Sequence, residues 1–221
     1  MNIIDTALSI IAPHICLGCG QEGAVMCRSC ALSYATVPSI CYVCARATTN
    51  HMACIDHLIK HGPRQVHIVG EYSDVLKALI HAYKFDYRRA ACKDIAFLLD
   101  AVVPYFNDVT ISYVPATGAH IRERGFNHIR NISKKFAAMR KLSHAETLAR
   151  ASAATQKGAD KVTRKKQLKG AFRALPGKVV DKDILLIDDV ITTGATIEEC
   201  SRQLYKAGAR SVNVAVVART P

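Results

Sequence analysis

The apolar residues of this chain fall into short blocks whose spacing switches between strand-like and helix-like along most of its length. Residues 66–72 form a compact apolar run that predicts a strand. Val75, Leu76, Leu79, Ile80 and Tyr83 recur at the spacing of one helical face, and a second helical pattern covers 91–103. Residues 109–114 predict another strand, ended by Pro115, and Asn127 is placed to open the next helix. The unbroken run Ile184, Leu185, Leu186, Ile187 predicts a strand covered on both faces. Thr196 and Glu199 have the spacing of a capping box, Gly208 stands where that helix should stop, and 212–217 predict a final strand. Near the start, Ile4, Leu8 and Ile11 share a helical face and predict a short packing helix, with contact to a membrane surface as the alternative. Strand–helix alternation of this kind predicts an α/β fold with a mostly parallel sheet flanked by helices.

The pattern breaks before residue 62. That segment has only short apolar runs, too few for a core of its own, but it holds seven of the nine cysteines. Cys16, Cys19, Cys27 and Cys30 form two CxxC pairs; Cys41 and Cys44 form a third, followed by Cys54 and His57. Paired thiols without a secretory signal read as metal ligands, and zinc suits them because each CxxC turn offers two thiolates to one side of a tetrahedron. The expected organisation is a zinc-binding cysteine-rich module at 1–62, jointed at His61-Gly62-Pro63 to an α/β domain at 63–221. A four-thiolate site leaves no open position, so the zinc is expected to be structural. His51 is an alternative fourth ligand for the second cluster, while the solitary Cys92 and Cys200 read as small buried hydrophobes.

Charge changes the picture further. Of the formal net charge of +12, all is carried between His120 and Lys182, where 17 Lys or Arg face 4 Asp or Glu. Such concentration points to a polyanionic partner, a solubilising surface being the plainer alternative. Within it, residues 155–169 contain Lys157, Lys161, Arg164, Lys165, Lys166 and Lys169 and read as a basic loop, a solvated surface loop being the alternative. No run approaches the roughly 18 apolar residues of a membrane span, and the N-terminus lacks the basic start of a secretory signal, so a cytoplasmic location is expected.

The chemistry concentrates at ILLIDDVITTGAT, residues 184–196. Ligands of open parallel sheets bind beyond the carboxyl ends of strands, where Asp188 and Asp189 are expected. Adjacent carboxylates there can accept from two vicinal hydroxyls or help hold a cation. The loop after them, with Thr192, Thr193, Gly194, Ala195 and Thr196, offers hydroxyls, backbone N–H groups and a helix start, the parts of an anion cradle. Acids and cradle together suit a ribose 5-phosphate. Ala116, Thr117 and Gly118 after the second strand form a candidate pyrophosphate loop, with Arg122 and Arg124 as phosphate forks. Phe126 among these arginines suits stacking on a base or packing in the core.

IDDVITTGAT resembles the phosphoribosyl-pyrophosphate motif of type I phosphoribosyltransferases. VPATGAHIRERGFNHI, ATQKG and RKKQLKGAF are similar to the signature blocks of the ComF family, which joins a zinc module to a phosphoribosyltransferase-like domain; the resemblance spans nearly the whole chain. It implies that Asp188 and Asp189 hold the ribose hydroxyls, that Thr192 to Thr196 wrap the 5-phosphate, and that Mg²⁺ bridges ligand oxygens. Lys84 in AYKF stands where the family usually has a Lys-Tyr pair and is grouped with the pyrophosphate residues. His57 stands where many members have a last cysteine, and Gln167 replaces a common Asn. The implied role is natural competence: binding phosphoribosyl pyrophosphate and single-stranded DNA, and helping transforming DNA into the cytoplasm beside a ComF-type helicase. An active phosphoribosyltransferase of unknown acceptor and a phosphoribosyl-pyrophosphate sensor are the alternatives, since a shared fold does not settle the reaction.

Overall fold

The computed structural model describes residues 14–33, 38–86, 88–151, 168 and 170–221. The expected N-terminal helix and the expected basic loop, with Lys157, Lys161, Arg164, Lys165, Lys166 and Lys169, lie outside the described residues.

Helix α1 (Arg28–Ser33) belongs to the cysteine-rich segment. Strand β1 (Val66–Glu71), helix α2 (Asp74–Lys84), helix α3 (Ala91–Val102) and strand β2 (Thr110–Tyr113) follow. Helices α4 (Gly118–Arg124) and α5 (His128–Arg140) lead to the short strand β3 (Ser143–His144). Strands β4 (Leu148–Arg150) and β5 (Phe172–Ala174) pair antiparallel with each other. Strand β6 (Asp183–Ile191), helix α6 (Ala195–Lys206) and strand β7 (Ser211–Arg219) complete the chain. The main sheet is wholly parallel, in the order β1-β7-β6-β2-β3.

A central parallel strand is covered on both faces, and β7 is buried at every position. Alternation along the strands divides the apolar residues between two layers. Leu185, Ile187, Ala215 and Val217 face helices α2, α3 and α5, against Leu79, Leu99, Ile132 and Phe136. Ile184, Leu186, Val214 and Val216 face helix α6 and the β4–β5 pair, against Ile197, Cys200, Leu204 and Phe172. The cysteine-rich segment contributes to both layers. Val25, Met26 and Ala31 join the first and Tyr42 joins the second, so its two halves pack on opposite faces of the sheet. The segment between them and β1 is tied to the sheet by the Val66 N–H, which donates to the His51 carbonyl at 2.8 Å.

Two expectations change. Strand β6 does not end at Ile187. Its pairing with β2 stops at Tyr113 and Ile187, but its pairing with β7 continues to Ile191 and Arg219. Asp188 and Asp189 therefore lie within the strand, at the step where the sheet loses one neighbour. The capping box is also absent. Gly194 is the N-cap of α6, at φ +80, and Thr196 is inside the helix. Glu199 instead accepts from Arg202, Gln203 and the Gly170 N–H, a contact that fastens α6 to the start of the β5 segment.

A candidate ligand cleft and two cysteine clusters

Where β2 stops short of β6, a cleft of about 670 Å³ opens between the strand ends and α4–α5. Asp188, Asp189, Val190 and Thr196 line one wall, and Lys84, Pro115 to Thr117, His120, Arg124, His128 and Arg150 line the others. The cleft thus collects acids from β6, a lysine from the end of α2, and cations from α4 and β4.

Asp189 is the hub. Its Oδ2 lies 2.5 Å from Lys84 Nζ and accepts from His128 Nε2 at 2.5 Å. His128 Nδ1 in turn accepts from Arg124 Nη1 at 3.0 Å, which fixes the neutral imidazole in its Nε2–H form. Burial lowers the His128 pKa despite the attraction of Asp189, so the ring stays neutral. Burial alone would raise the Asp189 pKa, but His128 and Lys84 hold it well below the usual carboxylate range. Asp188 feels Lys84 only weakly and makes no ion pair with it. Burial and the charge of Asp189 push its pKa up to about 8, and the Asp189 N–H donates to its Oδ1 at 2.9 Å. One acid is held in its ionised, paired form while burial and that charge favour the protonated form of its neighbour, and such a pair can accept from a hydroxyl or, when both are ionised, help hold a cation.

The sequence-predicted residues divide. Asp188, Asp189, Thr196, Ala116, Thr117, Arg124 and Lys84 meet at the cleft. Gly118 opens α4, where Thr117 caps the helix by accepting from the His120 N–H at 3.2 Å. Arg122 is exposed and is not among the residues that line the cleft, its Nη1 lying 3.3 Å from where a Gly118 Cβ would stand. Thr192 is exposed, Thr193 Oγ1 accepts from the Ala195 N–H at 3.4 Å, and Gly194 and Ala195 are buried. Phe126 is half-buried against Tyr83, ring centroids 5.4 Å apart, and packs on the core. Sequence reasoning missed His128, His120 and Arg150. His128 follows the N-cap Asn127 directly, and nothing local distinguishes it from a core histidine.

The first cysteine quartet brings all four sulfurs within 4.8 Å of one another. Burial disfavours the Cys16 thiolate, but N–H groups of Cys27, Cys19 and Gly18 outweigh it and lower its pKa to about 6. The neighbouring sulfurs of Cys27 and Cys19 push Cys30 up to about 12, the mark of negative groups crowded without a counter-charge. A Cβ on Gly18 would lie 2.8 Å from Cys30 Sγ, so glycine clears space for the fourth sulfur. These features fit a tetrahedral thiolate site.

Cys41, Cys44, Cys54 and His57 form the second cluster, within the same 4.8 Å. His57 Nδ1 lies 3.1 Å from Cys54 Sγ and 3.7 Å from Cys41 Sγ. Arg46, which pairs with Asp56, donates to Cys44 and Cys54 and lowers the Cys44 pKa to about 6. His51 does not join this cluster; its ring lies 4.8 Å from that of His67. The two first turns are copies of one hairpin. Cys16 N–H donates to the Gln21 carbonyl at 2.7 Å and Cys41 N–H to the Arg46 carbonyl at 2.8 Å, beneath the bridges Ile15–Glu22 and Ile40–Ala47. Cys200 is buried and Cys92 half-buried, as small hydrophobes should be. Among the described residues no helix is long and apolar enough to cross a membrane.

A family model described as phosphoribosyl transferase domain matches residues 127–221. DNA utilization protein YhgH of Escherichia coli O6:H1 is 31% identical over 227 residues, covering 96% of this chain and 99% of that protein. Competence protein F of Haemophilus influenzae is 28% identical over 163 residues, 69% of this chain and 71% of that one. Among solved structures, the allosteric regulatory enzyme of purine biosynthesis aligns with a TM-score of 0.42 and 17% identity, over 57% of this chain and 25% of that larger one.

Proposed function

Because this chain belongs to the ComF family of proteins with a phosphoribosyltransferase-type fold, we propose that it binds phosphoribosyl pyrophosphate with Mg²⁺ in the β6 cleft and handles single-stranded DNA beside it. One observation carries this reading. Hydroxyl-accepting acids and a set of polyphosphate-binding cations converge on a single cleft, with Asp188 and Asp189 on one side and Lys84, Arg124 and Arg150 on the others. A sugar with vicinal hydroxyls and a charged pyrophosphate arm has this same polarity. Arg guanidinium groups suit the pyrophosphate because their paired donors match two phosphate oxygens. Mg²⁺, when bound with the ligand, would neutralise its phosphate charge; the acids of β6 orient the ribose. The N-terminal segment to residue 62 serves as a zinc-stapled module, and 63–221 as the ligand-binding domain.

The DNA half of the proposal rests on charge and kinship. The relatives' names speak of DNA utilization and competence. Residues 152–169, with six Lys or Arg against one Asp, lie between β4 and β5 in the sequence, and β4 ends on Arg150 in the cleft wall. Neutralised phosphates release counterions, so such binding is salt-dependent. In this reading the protein works in the cytoplasm, assisting uptake of transforming DNA beside a helicase.

Calorimetry with phosphoribosyl pyrophosphate and Mg²⁺, with and without single-stranded DNA, tests both halves. Saturable binding lost in Asp188→Ala/Asp189→Ala, and DNA affinity that falls with salt and with neutralisation of Lys161, Arg164, Lys165 and Lys166, are the expected results. No binding of the sugar ligand by the wild type overturns the reading. Pyrophosphate release with a nucleobase or nucleic acid would make the protein a transferase rather than a ligand-gated binder.

A further inference from the structure

Tyr42 lies between the two cysteines of the CYVC turn, yet it is buried against the loop that follows β6. Its side chain is 1% exposed. A Cβ on Gly194 would lie 2.5 Å from Tyr42 Cε2 and 2.8 Å from Cδ2, so the ring occupies the space that a side chain at 194 would fill. The phenol donates to Glu198 Oε1 at 3.2 Å, one turn into α6. The backbone of the same turn is held from the other side. Arg219, at the end of β7, donates from Nε to the Tyr42 carbonyl and from Nη2 to the Val43 carbonyl, each at 3.2 Å.

These contacts make a short mechanical path. Cys41 and Cys44 flank Tyr42 and Val43, Tyr42 covers Gly194, and Gly194 is the N-cap of α6, between the threonines of the loop and the cleft residue Thr196. Gly194 holds φ +80, a conformation with few alternatives once a ring is packed against it. Among the described residues no equivalent path leaves the first cluster, whose apolar neighbours Val25, Met26 and Ala31 pack on the opposite face of the sheet.

We infer that Tyr42 is a positioning residue for the loop 192–196, and that metal occupancy of the Cys41, Cys44, Cys54 and His57 cluster is linked through it to ligand affinity at that loop. The inference rests on the proposed function for the identity of the ligand, but the contact can be tested without one. Linkage is reciprocal: whatever the metal adds to ligand affinity, the ligand adds to metal affinity.

Hydrogen–deuterium exchange of the full-length, zinc-loaded protein reads the loop directly. In Tyr42→Ala, amides of 190–198 are expected to exchange at least tenfold faster than in the wild type. Tyr42→Phe keeps the ring and loses the bond to Glu198, so an acceleration of about fivefold is expected, the scale of one hydrogen bond. His57→Ala, which opens the second cluster, should loosen the same peptide, whereas Cys19→Ser, in the first cluster, should leave it unchanged. Unaltered exchange in Tyr42→Ala, or equal loosening by His57→Ala and Cys19→Ser, overturns the inference. Binding provides the second readout. Tyr42→Phe should weaken ribose 5-phosphate while sparing inorganic pyrophosphate, which needs only the cleft cations; equal weakening of both also overturns it. A wild type that binds neither anion would strike down the proposed function, while the exchange measurements still decide the role of Tyr42.

Discussion

Lys84 Nζ lies 2.5 Å from Asp189 Oδ2 although the residues are 105 positions apart, the end of one helix meeting the middle of a strand. The acid expected to hold a ligand hydroxyl is therefore held by this lysine, with His128 as its second partner. Both contacts fall on Oδ2, so one carboxylate oxygen organises two side chains from different helices.

That pairing gives the first prediction. Asp189→Asn keeps the shape of the side chain but removes the charge that organises Lys84 and His128. Affinity for phosphoribosyl pyrophosphate with Mg²⁺ should fall about 10- to 100-fold, the worth of a hydrogen bond to a charged group. Calorimetric affinity within twofold of the wild type would remove Asp189 from the site.

Gly18 gives a second. Alanine there would place its Cβ 2.8 Å from Cys30 Sγ and push one sulfur off the quartet. Zinc release to a competing chelator should rise about tenfold or more from the first cluster, on the scale at which residues around metal ligands act. The second cluster, lacking this contact, should release at the wild-type rate. Equal release from both would show that the close approach is unimportant.

His67 predicts a pH dependence. It is 2% exposed, and neither ring nitrogen has a hydrogen-bond partner among the described residues. Burial, with smaller opposition from His51 and Arg140, lowers its pKa to about 4 from 6.5. The unfolded chain therefore takes the proton first as pH falls. The stability contribution is complete above pH 6.5, is lost between 6.5 and about 4, and changes no further below. The loss amounts to about 3 kcal/mol at most. His67→Leu should be less sensitive to acid over this window in denaturant titrations, the effect of metal loss being common to both proteins. Parallel pH profiles for the two would refute the assignment.

Arg140 predicts a stability effect remote from the cleft. Its guanidinium donates to Asp100 Oδ1 and to the carbonyls of Asp100, Val103 and Pro104, closing the C-terminal end of α3 against α5. These bonds satisfy carbonyls that a helix end leaves open. Arg140→Ala should cost about 2–4 kcal/mol in chemical denaturation, and Arg140→Lys should recover little because an ammonium cannot span the fork. Rescue by lysine would mean that charge alone matters there.

Much of the fold was legible because its signals are local. The runs at 66–72 and 184–187 and the helical spacing from Val75 to Tyr83 depend only on neighbours in sequence, and each reappears within a residue or a few of its expected place. Asn127 caps α5 as expected, its Oδ1 accepting from the Arg130 N–H at 3.2 Å. The CxxC spacing likewise announced both cysteine clusters. His57 rather than His51 completes the second because the chain at His51 is committed to β1 and His67. The capping box failed for one local and two nonlocal reasons: Arg202 and Gln203, one turn on in the same helix, engage Glu199, the distant Gly170 N–H also donates to it, and Gly194 under Tyr42 sets the start of the helix.

By itself, then, the sequence determined the parallel α/β architecture, the metal-ligand spacing, and the pairing of two acids with a threonine-rich loop. These follow from periodicity and from the short reach of neighbouring side chains. Tertiary structure alone decided that β6 outruns β2, which turns two adjacent acids into one wall of a cleft. It brought His128 and Lys84 to Asp189 from two different helices, and it set the two cysteine clusters on opposite faces of the sheet. Contacts of that kind depend on which strand neighbours which, and no local pattern records the strand order.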